Sequence, residues 1–326
     1  MDAGTLVEEG SRDRSKALAA LKFGDLLFGR LTQAAAALVL LILGGVIFSL
    51  VLGAIPALRT FGFGFLVSQQ WNPVTEKFGA LAPIAGTLTT SIIAMAIAAP
   101  VGVGIAVFLT ELCPQALRRP IGIAIELLAG IPSIIYGIWG LFVLAPFVQS
   151  TVEPAIIGVF GPIPVLSLVF AGPPYGIGTM TAGFVLAIMV VPFIASISRD
   201  VFDTVPPVLK ESAYGIGCTS WEVVRRVVIP YTRVGVIGGM MLGLGRALGE
   251  TMAVTFVIGN AHKISASLLA PGTTISATIA NEFTEADGDL YTSSLIALAL
   301  ILFVITFFVL AAARLMLARL ERQKGR

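Results

Sequence analysis

Residues 34–58 read AAAALVLLILGGVIFSLVLGAIPAL, an apolar run of 25 residues without one charged side chain. A helix needs about 20 such residues to cross a hydrocarbon core of about 30 Å. Comparable runs follow at 83–108, 121–148, 177–197, 234–258 and 295–313. The sequence therefore predicts an all-α integral membrane protein with six transmembrane helices.

The composition of the whole chain supports a membrane protein. Hydrophobic residues make up 56% of the 326 residues, charged residues only 12%, and the mean hydropathy is +0.95. A soluble domain averages about 45–50% apolar and about 25% charged residues. These values exclude a cytosolic enzyme, a nucleic-acid-binding protein and a secreted disulfide-rich scaffold. The net charge of +2 is too small to indicate binding to a polyanion such as nucleic acid.

The segment 154–176 is also apolar, but its prolines argue against a seventh span. Proline removes a backbone donor and breaks helices, and lipid cannot satisfy the polar groups that a broken helix leaves free. We therefore expect an external loop or a re-entrant piece at 154–176. The prolines concerned are Pro154, Pro162, Pro164, Pro173 and Pro174.

Lysine and arginine are distributed very unevenly between the two sides that six spans define. Seventeen lie in the tails and loops on one side, three lie on the other, and Arg246 falls within a span. The positive-inside rule then predicts that both termini are cytoplasmic. The predicted segments are a cytoplasmic tail at 1–32, a first transmembrane helix at 33–58, a transmembrane domain at 83–316 with a cytoplasmic loop at 199–233, and a basic cytoplasmic tail at 317–326.

Charged residues inside spans cost about 2.5–3.5 kcal/mol each on insertion scales and indicate function by default. Glu126 lies in the third predicted span, close to Arg118 and Arg119. A carboxylate that is merely paired locally explains Glu126 at least as well as a functional one. Pro132 and Ser133 follow in the same span, and their role, structural or in a transport pathway, stays open.

The fifth predicted span carries the clearest functional signal. Gly235, Gly239 and Gly243 share one helix face, and Arg246 and Glu250 fall within the same arc of about 80°. Small residues allow close helix packing in lipid, so we expect this face to point into protein, with the two charges in reach of each other. A guanidinium in an apolar pore suits a permeating anion. The alternative is a buried ion pair that only sets the helix register.

Catalytic and metal-binding patterns are missing from the sequence. It contains no GxxxxGK[ST], GxSxG or HExxH motif, so we expect neither an enzyme nor a chain that binds ATP itself. Cys113 and Cys218 lie in no CxxC or Cys/His pattern, which predicts two free thiols and no metal site. The single histidine, His262, falls in a predicted external loop and is interpreted as solvated.

The loop at 199–233 contains a spaced pattern: Glu211-Ser-Ala213-x-x-x-Gly217, nine residues, then Val227-x-Ile229-Pro230. We expect a short helix with a small apolar face, which suits docking into a groove of another protein. Pro230 is expected to end a second helix just before the fifth span.

This spacing resembles the EAA signature of the permease subunits of ABC importers, EAAxxxG, nine residues, IxLP. Glu211, Ala213, Gly217 and Pro230 match the signature. The stretches 126–137, ELLAGIPSIIYG, and 246–254, RALGETMAV, resemble phosphate-importer permeases, and the second favours the PstC type. The resemblance covers about residues 60–320. It implies a type I importer (MetI-like) permease fold in the bacterial cytoplasmic membrane and phosphate as the substrate.

The resemblance also implies partners. Such permeases pair with a related permease of the PstA type, with a dimer of ATPase subunits of the PstB type that uses the ATP, and with an extracytoplasmic phosphate-binding protein of the PstS type. The helix that docks into the ATPase corresponds to about residues 211–220. A permease for another oxyanion, sulfate or molybdate, is the nearest alternative. A secondary transporter working alone is another, although the sequence shows no clear internal repeat.

Overall fold

The computed structural model describes the backbone of residues 3–324 and the side chains of residues 24–319 apart from Val165. The predicted tails at 1–32 and 317–326 therefore lie partly outside the described residues. Ten helices matter below: α1 (Ala3–Phe61), α2 (Leu81–Leu112), α3 (Gln115–Ala129), α4 (Ser133–Phe160), α5 (Thr179–Phe202), α6 (Pro207–Gly215), α7 (Ser220–Leu248), α8 (Met252–Thr255), α9 (Ile275–Glu282) and α10 (Asp289–Lys324).

Six of the described helices are long and apolar enough to cross a membrane, which confirms the predicted number of spans. They are α1 from residue 24, α2, α4, α5, α7, and α10 as far as Arg319. The described residues contain one isolated β-bridge, between Asn72 and Lys77, and no β-strand. The fold is thus all-α.

The contacts divide the chain into two compact units, Met1–Gly53 and Ala54–Arg326. In the first unit, residues 24–53 form part of α1, and nearly all of their side chains are exposed. In the second unit, α5 is the central helix. Two thirds of its most apolar stretch are buried, and its side chains Leu186, Val190 and Ile194 lie in the main apolar core.

The third span differs from the prediction at 121–148. The chain forms a separate helix, α3, breaks at Gly130–Pro132, and only then enters the membrane-length helix α4. Pro132 has no N–H to continue the helix of α3. The hydroxyl of Tyr136 donates a hydrogen bond of 2.8 Å to the carbonyl oxygen of Leu128, which also accepts from the backbone N–H of Ile131 at 3.3 Å.

Part of the predicted external loop at 154–176 is helical. α4 continues to Phe160, and a further short helix covers Pro164–Val169. Two π-helical turns, Gly140–Leu144 and Val148–Val152, widen α4 just before Pro146 and Pro154. A wider turn accommodates a proline ring without ending the helix, so the prolines were poorer helix breakers than expected. The segment still adds no seventh span.

α7 also differs from the predicted span at 234–258. It begins at Ser220 and passes through Pro230 without a break, because a π-helical turn at Val224–Val228 precedes the proline. The expectation that Pro230 ends a helix is therefore wrong. At its other end α7 stops at Leu248, ten residues before the predicted end.

The glycine face of α7 points into protein, as predicted, and packs against α5. A Cβ atom added to Gly235 would lie 2.6 Å from the side chain of Val201, one on Gly239 would lie 2.8 Å from Ile197, and one on Gly243 would lie 2.9 Å from Ile194. These separations are shorter than a normal carbon–carbon contact of about 3.5–4.0 Å. Glycine is therefore required for this close packing.

Candidate functional site

α7 ends in the middle of the bundle. The Cζ atom of Arg246, in the last turn of α7, lies 5.7 Å from the centre of the Phe193 ring on α5. Phe193 lies about 4 Å along the axis from the midpoint of α5, at 1.5 Å per residue. The chain then runs without regular helix from Gly249 to the start of α8 at Met252. Non-helical backbone at this depth is tolerated only inside protein or beside water.

Glu250 lies beyond the end of α7, so the predicted pair with Arg246 on one helix face is wrong. Its Oε1 atom accepts a hydrogen bond of 3.3 Å from the backbone N–H of Ala253, in α8. Among the described side chains, no carboxylate lies within 4.0 Å of the Arg246 guanidinium. The prediction assumed that the helix continues to Glu250. It ends before Gly249, and glycine is a poor helix former.

Arg246 is exposed on this chain, and its guanidinium lies next to the half-buried residue Phe193. The last turn of a helix favours a cation, because its free carbonyl groups carry partial negative charge. A charge at membrane depth is costly against lipid. This position therefore favours water, an anion or another protein subunit opposite Arg246.

Glu126 is paired with α5. Its Oε1 atom accepts a hydrogen bond of 2.6 Å from Arg199, which also bonds to Asp200 at 3.1 Å. Arg118 forms a second ion pair between α3 and Asp203. These contacts fasten α3 along the end of α5, and they place Glu126 away from Arg246.

Pro132 and Ser133 lie at the break between α3 and α4. Pro132 is exposed, and Ser133 is half-buried as the first residue of α4. Their neighbour Tyr136 bridges the break through its hydroxyl group. The structure thus gives Pro132 a role in shaping the chain, and the described contacts bring neither Pro132 nor Ser133 to Arg246.

The residues of the EAA-like pattern lie on and around α6. Ala213 is only 8% exposed and packs in an apolar cluster with Ala106 of α2 and Phe202 of α5, whereas Glu211 is exposed. α6 covers 207–215, so the expected helix at 211–220 is shifted by about four residues. Pro207 is its first residue, a position that suits proline.

Gly217 ends this segment. It has a φ of +90°, a backbone conformation that L-residues other than glycine rarely adopt. Its N–H donates to the carbonyl oxygen of Tyr214 at 2.9 Å, and the N–H of Cys218 donates to that of Ala213 at 3.1 Å. A new helix, α7, begins at Ser220, where Thr219 and Glu222 form a reciprocal capping box. Pro230 lies exposed within α7.

Three large apolar side chains in and near α6 are exposed. Val208 is 67% exposed, Ile216 83% and Trp221 65%. Large exposed apolar groups that cluster outside the membrane-spanning part of a protein mark contact sites for other proteins. Ala213 thus fastens α6 to the apolar cluster, while Val208, Ile216 and Trp221 stay exposed on this chain.

A polar cluster at the opposite end of the bundle escaped the sequence analysis. The carboxylate of Glu282 on α9 accepts hydrogen bonds from Trp71 Nε1 at 2.5 Å and from the Tyr291 hydroxyl at 2.7 Å, and it contacts His262 Nε2 at 2.7 Å. The His262 ring stacks on Trp71 with 5.1 Å between the centroids. His262 is thus mostly buried, and its interpretation as solvated is wrong.

The electrostatics of Glu282 follow from these partners. Burial alone would raise the pKa of Glu282, but the hydrogen bonds from His262, Tyr291 and Trp71 outweigh it and hold the pKa below its usual value. Because 211 residues separate Trp71 from Glu282, no local spacing could have indicated this contact.

The described residues hold no group of three or more potential ligands that could bind a metal ion. Both cysteines are free thiols, as predicted. The group available for binding near the middle of α5 is the guanidinium of Arg246 at the end of α7. It can attract an anion and donate hydrogen bonds to it.

Comparison with known proteins identifies the family. A family model described as "Binding-protein-dependent transport system inner membrane component" matches residues 98–322. A phosphate transport system permease protein PstC from Mesorhizobium japonicum is 72% identical over 301 residues, which cover 92% of each chain. The PstC protein of Pasteurella multocida is 57% identical over 302 residues, covering 93% of this chain and 94% of that protein.

Solved structures agree on the fold. A bacterial alginate ABC transporter, solved with a periplasmic protein that holds an alginate pentasaccharide, matches with a TM-score of 0.56 and 17% identity, covering 83% of this chain and 88% of that chain. The MetNI methionine ABC transporter, in an inward-facing conformation, matches with a TM-score of 0.50 and 17% identity over 74% of this chain and 94% of that chain. The fold is that of MetI-like importer permeases.

Six apolar helices and the matched family describe a multi-pass protein of the bacterial inner membrane. It is the permease component of an ABC transporter system and is not itself catalytic. By its family model and its relatives, the chain belongs to the binding-protein-dependent inner membrane permeases and, within them, to the PstC phosphate transport permeases.

Proposed function

We propose that phosphate crosses the membrane past Arg246, and that this permease works with three kinds of partner. These are a related permease of the PstA type, an ATPase dimer of the PstB type that binds and hydrolyses the ATP, and an extracytoplasmic phosphate-binding protein of the PstS type. This chain itself binds no ATP. The proposal goes beyond family membership in naming the site and the partners.

The observation that carries the proposed path is the position of Arg246. It is exposed at the end of α7, near the middle of α5, and has no carboxylate partner within 4.0 Å among the described side chains. A cation without a carboxylate partner at this depth offers charge-assisted hydrogen bonds to a dehydrated anion. Because its partner at rest is not a carboxylate, the anion displaces no ion pair when it binds.

Glu250 has a secondary role in this proposal. Its carboxylate holds the backbone of α8 through Ala253 and thereby fixes the non-helical segment that follows Arg246. Its negative charge in the same region also keeps the anion from binding too tightly, because a site that traps its ion cannot release it.

The proposed docking element for the ATPase is α6 with the turn at Gly217. Its exposed side chains Val208, Ile216 and Trp221 fit an apolar groove, and Ala213 ties it to the ends of α2 and α5. Glu211, Gly217 and Pro230 shape or flank this element. The unequal distribution of lysine and arginine supports a cytoplasmic location for α6 and for both termini.

The test is transport by the purified complex in proteoliposomes. Mass spectrometry of the gently solubilised complex should find the permease partner, the ATPase and the binding protein together. Labelled phosphate should enter in an ATP-dependent manner, and excess sulfate or molybdate should not compete. Uptake of sulfate or molybdate in preference to phosphate would contradict the substrate, and uptake without any ATPase subunit would indicate a secondary transporter.

A further inference from the structure

One ion pair links α6 to α2. Glu111, in the π-helical turn Phe108–Leu112 at the end of α2, has a side chain that is only 5% exposed. Lys210 on α6 is 20% exposed, and its Nζ atom lies 2.5 Å from Oε1 of Glu111. Taking two such charges out of water costs several kcal/mol per ion, so the pair persists only where its geometry is well supported.

This pair differs from the other ion pair near α6. Arg226 and Glu222 in α7 lie 3.8 Å apart and are 72% and 38% exposed, which is the kind of surface contact that contributes about 0–1 kcal/mol. The pair of Lys210 and Glu111 is short and largely buried, and it joins two helices through residues that are 99 positions apart in the sequence. It is therefore an interhelical connection and not a solvated surface contact.

The chain connects α6 directly to α5 and α7, but not to α2. Ala213 and Ala106 belong to one apolar cluster, which brings α6 and α2 together without fixing a direction. A hydrogen-bonded ion pair is directional, because its strength falls when the donor angle or distance changes. Beyond Glu111, α2 packs tightly along α5, where a Cβ on Gly102 would lie 2.9 Å from Ile194. A displacement of α6 that reaches Glu111 is thus passed to a rigid helix pair.

We infer that Lys210 and Glu111 form the joint through which movement of α6 is transmitted to α2, and that they are positioning residues for transport. The inference rests on the proposed docking of an ATPase on α6. The side chains Val208, Ile216 and Trp221 are exposed, whereas Lys210 and Glu111 are largely buried. Loss of the pair should therefore leave docking and ATP hydrolysis intact while less of the movement reaches the transmembrane helices.

The test uses the complete transporter in proteoliposomes and measures the amount of ATP hydrolysed per phosphate imported. Lys210→Met and Glu111→Gln should each raise this ratio at least about fivefold, the lower end of typical coupling between two sites, with normal amounts of assembled ATPase. The exchanged variant, Glu111→Lys with Lys210→Glu, should bring the ratio back toward that of the wild type. Arg226→Met, which breaks the exposed pair, is the matched control and should leave the ratio unchanged.

If Lys210→Met hydrolyses as much ATP per imported phosphate as the wild type, the proposed role of the ion pair is wrong. Where the neutral variants fail to assemble, Glu111→Asp decides, because it keeps the charge and shortens the side chain by one methylene group. If the inference holds, Glu111→Asp assembles normally and hydrolyses more ATP per imported phosphate than the wild type. An unchanged ratio of ATP to phosphate contradicts the inference. Failure of the wild-type complex to import phosphate would instead refute the proposed function, so the two failures are distinguishable.

Discussion

Arg246 and Glu282 are both charged groups in the second unit of the chain, yet their surroundings differ. Glu282 contacts donor groups from Trp71, His262 and Tyr291, three side chains on separate segments. Arg246 has only the face of Phe193 and the end of its own helix among its described contacts. A charge whose partners are all supplied by the chain holds the fold together. A charge without an ionic partner stays available to a ligand.

The largest effect that this comparison predicts is on transport by Arg246→Gln. Glutamine keeps hydrogen-bonding capacity but removes the charge, so phosphate uptake should fall about 10- to 150-fold, since hydrogen bonds to a charged group contribute about 1.5–3 kcal/mol. Uptake into proteoliposomes measures the loss, and co-purification of the ATPase should be normal. Uptake above half of the wild-type rate would remove Arg246 from the path.

Glu282→Gln should act on stability instead. The folded-state pKa of Glu282 is lowered, so its carboxylate stabilises the fold above the unfolded-state pKa of about 4.3, and this contribution disappears as pH falls through the lower folded-state pKa. The variant should lose about 1.5–3 kcal/mol at neutral pH. Thermal unfolding of the solubilised protein between pH 3 and 7 should show a lower unfolding midpoint for the variant than for the wild type, and this difference should disappear at low pH. A difference in unfolding midpoint that does not depend on pH would contradict this explanation.

Tyr291→Phe sharpens the comparison with a smaller change. It removes one hydroxyl donor from Glu282 while the ring can still stack on Phe78, 5.0 Å away between centroids. We expect a loss of about 1 kcal/mol and unaltered phosphate uptake. The unfolding midpoint at neutral pH measures the loss. A midpoint shift as large as that of Glu282→Gln would mean that the ring packing, and not the hydrogen bond, is affected.

Glu250→Gln should have the smallest effect. Its amide oxygen can still accept the hydrogen bond from Ala253, and no ion pair with Arg246 is lost. We expect an uptake rate within about threefold of the wild type, which corresponds to less than about 1 kcal/mol. Titration of the uptake rate against phosphate concentration measures this effect. A collapse of uptake as severe as that of Arg246→Gln would show that the two charges act as a unit.

Much of this architecture could be predicted from the sequence, because lipid imposes simple rules. Apolar runs gave the six spans, and the glycine spacing at 235, 239 and 243 correctly assigned the packed face of α7. The helix breaks could not be predicted, since Gly249 resembles the glycines within α7 and Pro230 resembles a helix terminator. The Glu282 cluster depends on contacts across more than 200 residues, which only the fold brings together.

All four π-helical turns of the described helices end two residues before a proline: Leu112 before Pro114, Leu144 before Pro146, Val152 before Pro154 and Val228 before Pro230. Each turn holds one residue more than an α-helical spacing allows, so the positions beyond it are rotated by about 100° around the axis. A helical wheel drawn across Val224–Val228 assigns the wrong side of α7. A one-residue deletion within such a turn would therefore re-orient a whole face of the helix without shortening the span by more than about 1.5 Å.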